Sequence, residues 1–306
     1  MSAFRHLLVP LDGSGLAEAV LSATAALAER LGASLTLLHV MEQDAPATIH
    51  GERHLTDEGD AERYLEDVQR RLALGDRPVA RHVHQAKEGD VALAIVQHAE
   101  ELRVDLIVMS THGRGGLREL VVGSIAQRVL QRGAAPIFLI QPARGAPAPF
   151  ACRTILVPLD GTAAHEPALD AAVELARAFG ARLHLVIVVP TPATLSGGTA
   201  AVGTMMPLAT TALLDLATEG AAEYMRRQVE RLRASGLEAT AEVRRGEPAA
   251  NLVEAAEHAG ADVITMASHG RAGLEAFWEG SVSAKVVARF GRPVLLVRAT
   301  DTPPPA

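Results

Sequence analysis

Short apolar runs alternate along the chain with longer stretches in which apolar residues recur at helical spacing. The runs are rich in Val, Ile and Leu, a composition typical of strands buried on both faces. Ten such runs occur, five in each half of the chain: His6–Leu11, Ser34–Val40, Val79–His84, Leu106–Met109, Ile137–Ile140, Thr154–Leu159, Arg182–Val189, Glu238–Val243, Val263–Met266 and Val294–Val297. Strands that alternate with helices predict an α/β fold, a parallel sheet with helices on both faces.

The stretches between these runs predict the helices. The first helix of each half follows a capping hydroxyl, Ser14 or Thr162, and stops at a glycine, Gly32 or Gly180. Further helices are expected at Asp60–Leu74, Val91–Glu101, Ser124–Arg132, Glu219–Ala234, Pro248–His258 and Ser281–Phe290, and Leu208–Leu216 is expected to contribute part of another.

The two halves of the chain repeat each other. The segment HLLVPLDGSG that begins at His6 returns as TILVPLDGTA at Thr154, so that Asp12 precedes Asp160 by 148 residues. DLIVMSTHGR at 105–114 returns as DVITMASHGR at 262–271. We therefore predict two repeated domains at 1–141 and 153–300, a proline-rich linker at 142–152 and a tail at 301–306.

Composition narrows the class of protein. The 29 Lys and Arg against 36 Asp and Glu give 306 residues a formal charge of −7, whereas nucleic-acid binders usually carry a basic footprint. A single cysteine, Cys152, excludes an intrachain disulfide and a cysteine-rich zinc site. The residues before Asp12 contain no apolar run long enough for a signal peptide, and no later run approaches the roughly 20 residues of a membrane span. We expect a cytoplasmic protein whose partners are neither nucleic acid nor membrane.

The ends of the first strands carry candidate binding chemistry. Pro10 and Pro158 sit close to the ends of apolar strands, where a proline gives up a ladder hydrogen bond. Asp12 and Asp160 follow, and an aspartate there can accept a hydrogen bond from a ribose hydroxyl or an adenine amino group. An ordinary turn followed by a helix cap is the alternative interpretation of the same residues.

The ends of the fourth strands suggest an anion site. Each carries a small residue, then a glycine, then a Gly-Ser pair that opens a helix: Ser110, Gly113, Gly123 and Ser124 in the first half, and Ala267, Gly270, Gly280 and Ser281 in the second. Unpaired N–H groups at a helix N-terminus hold phosphate oxygens without a lysine. The alternative is that the glycines only shape a turn and the serines only cap helices.

These motifs resemble those of the universal stress protein family, in its ATP-binding tandem-domain branch, over nearly the whole chain. The resemblance implies a five-stranded parallel sheet of order 3-2-1-4-5 in each repeat, with ATP, accompanied by Mg²⁺, between the first and fourth strands. It implies that the two fifth strands pair across a pseudo-two-fold axis as an intrachain pseudo-dimer, and it allows whole chains to form homodimers.

The resemblance also assigns site residues. Adenine and ribose would contact Pro10, Asp12 and Val40 in the first repeat and Pro158, Asp160 and Val188 in the second. The phosphates would contact Gly113, Gly123 and Ser124, and Gly270, Gly280 and Ser281. Ser110 and Ala267 stand where the family has its first glycine.

The function expected from these residues is nucleotide-dependent regulation in a stress response, with no catalytic residue assigned. A slow ATPase is one alternative, and a nucleotide-independent interaction module that uses residues 191–218 is another. His82 and His84 share one face of a predicted strand, and His50 and His54 a helical turn, but histidine pairs are more often structural. We therefore assign no metal site from the sequence.

Overall fold

The computed structural model describes residues 4–42, 48–49, 52–53, 55, 57–86, 90–111, 123–142, 149–195, 205–268 and 281–299. The described residues form two compact units. Unit 1 contains those up to residue 151 together with 291–298, and unit 2 contains 152–268, 281–290 and 299. The domain limits proposed from the repeat stay a prediction.

Unit 1 alternates strands and helices in the predicted order. Its strands are β1 (His6–Pro10), β2 (Ser34–Glu42), β3 (Thr48–Ile49), β4 (Glu52–Arg53), β5 (Val79–Ala86), β6 (Leu106–Ser110) and β7 (Ile137–Ile140). Its helices are α1 (Leu21–Leu31), α2 (Glu58–Leu72), α3 (Val91–Glu101) and α4 (Ser124–Arg132), with a 3-10 turn at Ala17–Val20 before α1.

The main sheet of unit 1 runs β5-β2-β1-β6-β7, with every neighbouring pair parallel. Since β3 and β4 form a separate antiparallel pair, this is the predicted order 3-2-1-4-5. Leu7, Leu8 and Val9 of β1 have no exposed surface. Strands buried on both faces require a helical layer on each, and the helix pairs α1–α2 and α3–α4 supply these layers.

Unit 2 repeats this arrangement. Its strands are β8 (Thr154–Pro158), β9 (Arg182–Val189), β10 (Ala239–Arg245) and β11 (Val263–Ser268), which run β10-β9-β8-β11 in parallel. Its helices are α5 (Glu166–Phe179), α6 (Pro207–Ala234), α7 (Pro248–His258) and α8 (Val282–Phe290), with a 3-10 turn at Ala163–His165. The predicted α/β fold is confirmed in both repeats.

The last strand, β12 (Val294–Arg298), belongs to unit 1. It pairs with β7 in antiparallel register, Val294 opposite Leu139 and Leu296 opposite Ile137. The Arg298 guanidinium also donates to the Gly133 carbonyl at 3.0 Å. The predicted pairing of the two fifth strands is therefore confirmed.

Two local predictions need correction. Helix α6 starts at Pro207 and runs 28 residues without a break, where the sequence suggested a separate segment before Glu219. Proline is well tolerated at the first turn of a helix, and the following Ala, Leu and Thr residues contain no breaker before Gly220. Thr162 makes no side-chain cap bond to its helix; its hydroxyl donates to Asp160 and lies 3.2 Å from the ring Nδ1 of His165.

The other predicted caps are present. Ser14 Oγ accepts the Ala17 amide at 3.1 Å. Gly32 and Gly180 end their helices at φ 68° and 66°, in the left-handed region that glycine adopts without a Cβ clash. In the ranges that the structure describes, no helix combines the length and apolar character needed to cross a membrane.

Candidate functional site

Strand β1 is the point at which the strand order of unit 1 reverses. It lies between β2 and β6, with Pro10 opposite Leu38 and Leu7 opposite Leu106. Beyond Pro10 the Leu11 amide still donates to the Leu38 carbonyl, at 2.8 Å. The crevice outside the carboxyl ends of strands at such a reversal is where open α/β sheets bind ligands.

Asp12 is held in a fixed orientation at this point. Its Oδ1 accepts the Ser14 amide at 2.9 Å and the Ser14 hydroxyl at 2.6 Å. Ser14 is 1% exposed and caps the next turn, so the loop cannot rotate without losing all three bonds. The turn that the sequence suggested is present, and it leaves the half-buried carboxylate at the end of β1.

A buried histidine on the neighbouring strand is hydrogen-bonded to the same loop. His39 of β2 is 2% exposed, and its Nδ1 donates to the Leu11 carbonyl at 2.8 Å. The corresponding residue of the second repeat is Ile187, which has no such donor.

The end of β6 is joined to the start of α4. The Thr111 amide donates to the Ile140 carbonyl at 2.8 Å, and the Gly123 amide donates to the Thr111 carbonyl at 2.6 Å. This brings the positive end of α4, which begins at Ser124, beside the half-buried Ser110. Gly113 lies outside the described residues.

The aspartate of the second repeat has a different set of hydrogen-bond partners. Asp160 Oδ1 accepts the Thr162 amide at 2.9 Å and the Thr162 hydroxyl at 2.7 Å, and His165 Nδ1 lies 2.7 Å from Oδ2. Burial raises the pKa of the Asp160 carboxyl, but hydrogen bonds from His165 and Thr162 outweigh it and lower that pKa to about 2. The position equivalent to His165 in the first repeat is Ala17, which cannot make this contact.

The fourth strand of unit 2 also differs in detail. Ala267 is buried next to the end of β11, and Ser281 Oγ accepts the Ala284 amide at 3.1 Å, which makes Ser281 the cap of α8. In the first repeat the cap is Gly123, without a side-chain bond. Gly270 and Gly280 lie outside the described residues.

The two valines occupy matching places. Val40 on β2 and Val188 on β9 are both half-buried. Val40 lies opposite His84 of β5, and Val188 lies opposite Arg244 of β10. Each is on the strand next to the aspartate-bearing one, near its carboxyl end.

Two tyrosines near the aspartates were not predicted. Tyr64 of α2 and Tyr224 of α6 are the only tyrosines in the chain. Burial raises the pKa of Tyr64, and the carboxylates of Glu18 and Asp12 raise it further. Burial together with Glu166 and Asp160 raises the pKa of Tyr224 in the same way. The sequence carried no spacing signal for them, because Tyr64 follows Asp12 by 52 residues and Tyr224 follows Asp160 by 64.

Comparison with known proteins gives one family for both repeats. The profile of the Universal stress protein family matches residues 3–141 and again 151–298. The universal stress protein YxiE of Bacillus subtilis is 29% identical over 150 residues, covering 45% of this chain and 99% of the relative. A universal stress protein of Mycolicibacterium smegmatis is 25% identical over 305 residues, covering 95% of this chain and 96% of the relative.

Among solved structures, a universal stress protein from Archaeoglobus fulgidus has a TM-score of 0.70 to this chain. It is 21% identical and covers 97% of this chain and 98% of its own. At that identity the likeness concerns the fold, and it extends over both repeats together.

Proposed function

The chain belongs to the universal stress protein family, and on that premise we propose that it binds ATP with Mg²⁺ and acts as a nucleotide-dependent regulator in a stress response. The first repeat is the stronger site in this proposal, at the carboxyl ends of β1 and β6. The second repeat binds the same ligand more weakly.

The observation that carries the proposal is the convergence of two kinds of group at one strand reversal. Asp12 follows the end of β1, and the N-terminus of α4 is joined to the end of β6 by the Gly123–Thr111 hydrogen bond. An acceptor and a positive helix end at neighbouring strands suit a molecule with hydroxyls at one end and phosphates at the other.

The carboxylate end fits a ribose. Asp12 already accepts two hydrogen bonds from Ser14 on Oδ1, which fixes the direction of its second oxygen. A fixed acceptor loses little conformational entropy when it binds a hydroxyl. Pro10 and Val40, both half-buried, would offer apolar surface to a purine.

The helix end fits the phosphates. Helix α4 has nine residues, and Gly123 caps it without a side-chain hydrogen bond. Its first N–H groups can therefore point at an anion, and the helix dipole favours negative charge there. A Mg²⁺ ion bound to the phosphates would offset their remaining charge.

The second repeat is expected to bind less tightly because its aspartate has a competitor. His165 holds Oδ2 of Asp160 at 2.7 Å, and a ribose hydroxyl would have to displace that contact. Removing the histidine should therefore strengthen the second site, whereas most substitutions at a binding site weaken it.

The first test is the nucleotide content of the freshly purified protein. The chain is denatured, the released small molecules are chromatographed, and the amount is expressed per chain. We expect between one and two adenine nucleotides per chain. Release of none, with no binding of added Mg-ATP at millimolar concentration, would overturn the proposal. Appearance of ADP on incubation would favour the slow ATPase instead.

Titration calorimetry with Mg-ATP then assigns the sites. Asp12→Asn keeps the turn with Ser14 but removes the charge, and it should weaken the tighter site at least tenfold. His165→Ala should strengthen the weaker site severalfold. Asp67→Asn, at an exposed position on α2, is the matched control and should change neither. Loss of affinity in the control alone, or in all three variants, would contradict the assignment.

One observation favours a second function, self-association through α6. Met205, Leu208, Leu213 and Leu216 are 65–87% exposed at helical spacing, in or just before the first half of this helix. Exposed apolar stripes of this kind mark docking surfaces, and a second copy of the chain carries a matching stripe. Sedimentation over a range of concentrations should show dimers that disappear with Leu213→Asp and Leu216→Asp but persist with Thr211→Asp. A monomer at every concentration would exclude this function.

A further inference from the structure

Three histidines from two elements come together in unit 1, and none of them is among the residues proposed for the nucleotide. His82 and His84 lie on β5, and His98 lies on α3. One ring nitrogen of each lies within 4.8 Å of the others. The ring centroids of His82 and His84 are 4.7 Å and 4.6 Å from that of His98.

The geometry of β5 and the packing of α3 bring the three histidine rings together. Residues two apart on a strand share a face, so His82 and His84 project on the same side of β5. Their register opposite Leu38 and Val40 of β2 is fixed by the parallel ladder. Helix α3 packs against both β2 and β5. His98 is on its last turn and is 6% exposed, which turns its ring towards the sheet.

The third ring is already oriented in the way metal-binding histidines are. Its Nδ1 donates to the Ala94 carbonyl, one turn back on α3, at 2.7 Å. A neutral imidazole that donates from Nδ1 carries its lone pair on Nε2. A hydrogen bond of this kind to a backbone carbonyl fixes the tautomer and ring orientation of most histidine ligands.

The charge around the cluster suits a cation. Glu101 follows His98 by three residues on α3, and its negative charge acts on His82. His82 is exposed, which leaves a route for an ion from solvent and room for water beside it.

We propose that His82, His84 and His98 form a binding site for one divalent transition-metal ion, with zinc the favoured ion and a fourth position open to water. Three imidazoles and one water are a common zinc environment in proteins. Ligand nitrogens around tetrahedral zinc lie about 3.4 Å apart, given Zn–N bonds of about 2.0–2.1 Å. Binding the ion therefore requires the three ring nitrogens, now within 4.8 Å of one another, to move closer together.

The site would join the edge strand β5 to α3. It takes a different ion from the one that accompanies a nucleotide, because Mg²⁺ prefers oxygen ligands and octahedral geometry. The proposal therefore stands or fails independently of ATP binding, and an excess of Mg²⁺ should not displace the bound zinc.

The test uses the full chain, without a polyhistidine tag and freed of metal by a chelator. Zinc is titrated in competition with a chromophoric chelator, and Co²⁺ is used as a spectroscopic probe because four-coordinate Co²⁺ absorbs strongly in the visible range. We expect one tightly bound ion per chain, a visible Co²⁺ band, and a higher thermal unfolding midpoint with zinc. Displacement of zinc by Mg²⁺ would overturn the proposal.

The variants separate this site from nonspecific binding. His82→Ala with His84→Ala removes two ligands from exposed and half-buried positions and should weaken zinc binding at least a hundredfold. His98→Gln should do the same while an amide N–H replaces the bond to Ala94. His258→Ala, an exposed histidine on α7, is the control and should bind zinc like the unsubstituted chain. Equal zinc affinity in the unsubstituted chain and the double variant would refute the site, whether or not His98→Gln folds.

Discussion

Thr265, in the middle of β11, offers a sharp test of the packing described above. Its side chain has no exposed surface, and its hydroxyl has no hydrogen-bond partner within the described part of the chain. The equivalent residue of the first repeat is Val108, which is also fully buried. The two repeats therefore place a hydroxyl and a methyl group in the same kind of site.

The expected effect of Thr265→Val follows from this difference. A buried hydroxyl without a partner costs about 1–3 kcal/mol in proteins. Valine has nearly the same shape as threonine and replaces the hydroxyl with a methyl group. Imperfect repacking around that methyl group offsets part of the stabilisation. We expect the free energy of unfolding to rise by about 1 kcal/mol, which is a rise of about 2–4 °C in Tm for a unit of this size.

The measurement is urea unfolding followed by circular dichroism, with Val108→Thr as the reciprocal variant. Because a chain with two units can unfold in more than one step, midpoint and slope are compared for each transition. Val108→Thr should lower stability by about 1–3 kcal/mol. The reasoning is refuted if Thr265→Val lowers stability, because the hydroxyl would then have a partner whose loss outweighs its burial.

Two further predictions concern ionisable groups. The hydrogen bonds of His165 and Thr162 stabilise the fold while Asp160 is charged, so their contribution is complete above about pH 4 and is lost as the pH falls towards 2. Asp160→Asn should lower the free energy of unfolding by on the order of 1 kcal/mol at neutral pH, after allowance for solvent screening, and the difference from the unsubstituted chain should shrink in acid. A difference that stays constant with pH would contradict this. Burial and Asp262 raise the pKa of Cys152 to about 12, so a thiol reagent should label the native chain slowly and the urea-unfolded chain quickly. Rapid labelling of the native chain would show that the thiol is accessible.

Local chemistry explains where prediction from the sequence succeeded. Helices α3 and α7 begin and end where predicted, and each begins after an acidic cap that is visible in the sequence. Asp90 accepts the Leu93 amide at 3.2 Å, and Glu247 accepts the Ala250 amide at 2.7 Å. The turn at Asp12 was predictable for the same reason, since its bonds span only two residues.

Contacts between distant elements explain what prediction missed. His98 lies 14 residues beyond His84, and only the packing of α3 on β5 brings the two rings within 4.6 Å. Neither its helical period nor its neighbours distinguish it from a core residue. Tyr64 lies 52 residues beyond Asp12, and its proximity depends on the position of α2. The sequence contains these residues, but only the fold shows that they meet.

The assignment of β12 to the first unit has a consequence for synthesis on the ribosome. Strand β7 ends at Ile140, and the strand that covers its free edge begins at Val294, so more than 150 residues are translated between them. During that interval the nascent first repeat presents an unpaired edge of apolar residues, the type of surface that recruits other chains. Holdase chaperones should therefore engage this stretch until the last strand emerges, and a stalled chain that lacks it should be the aggregation-prone form.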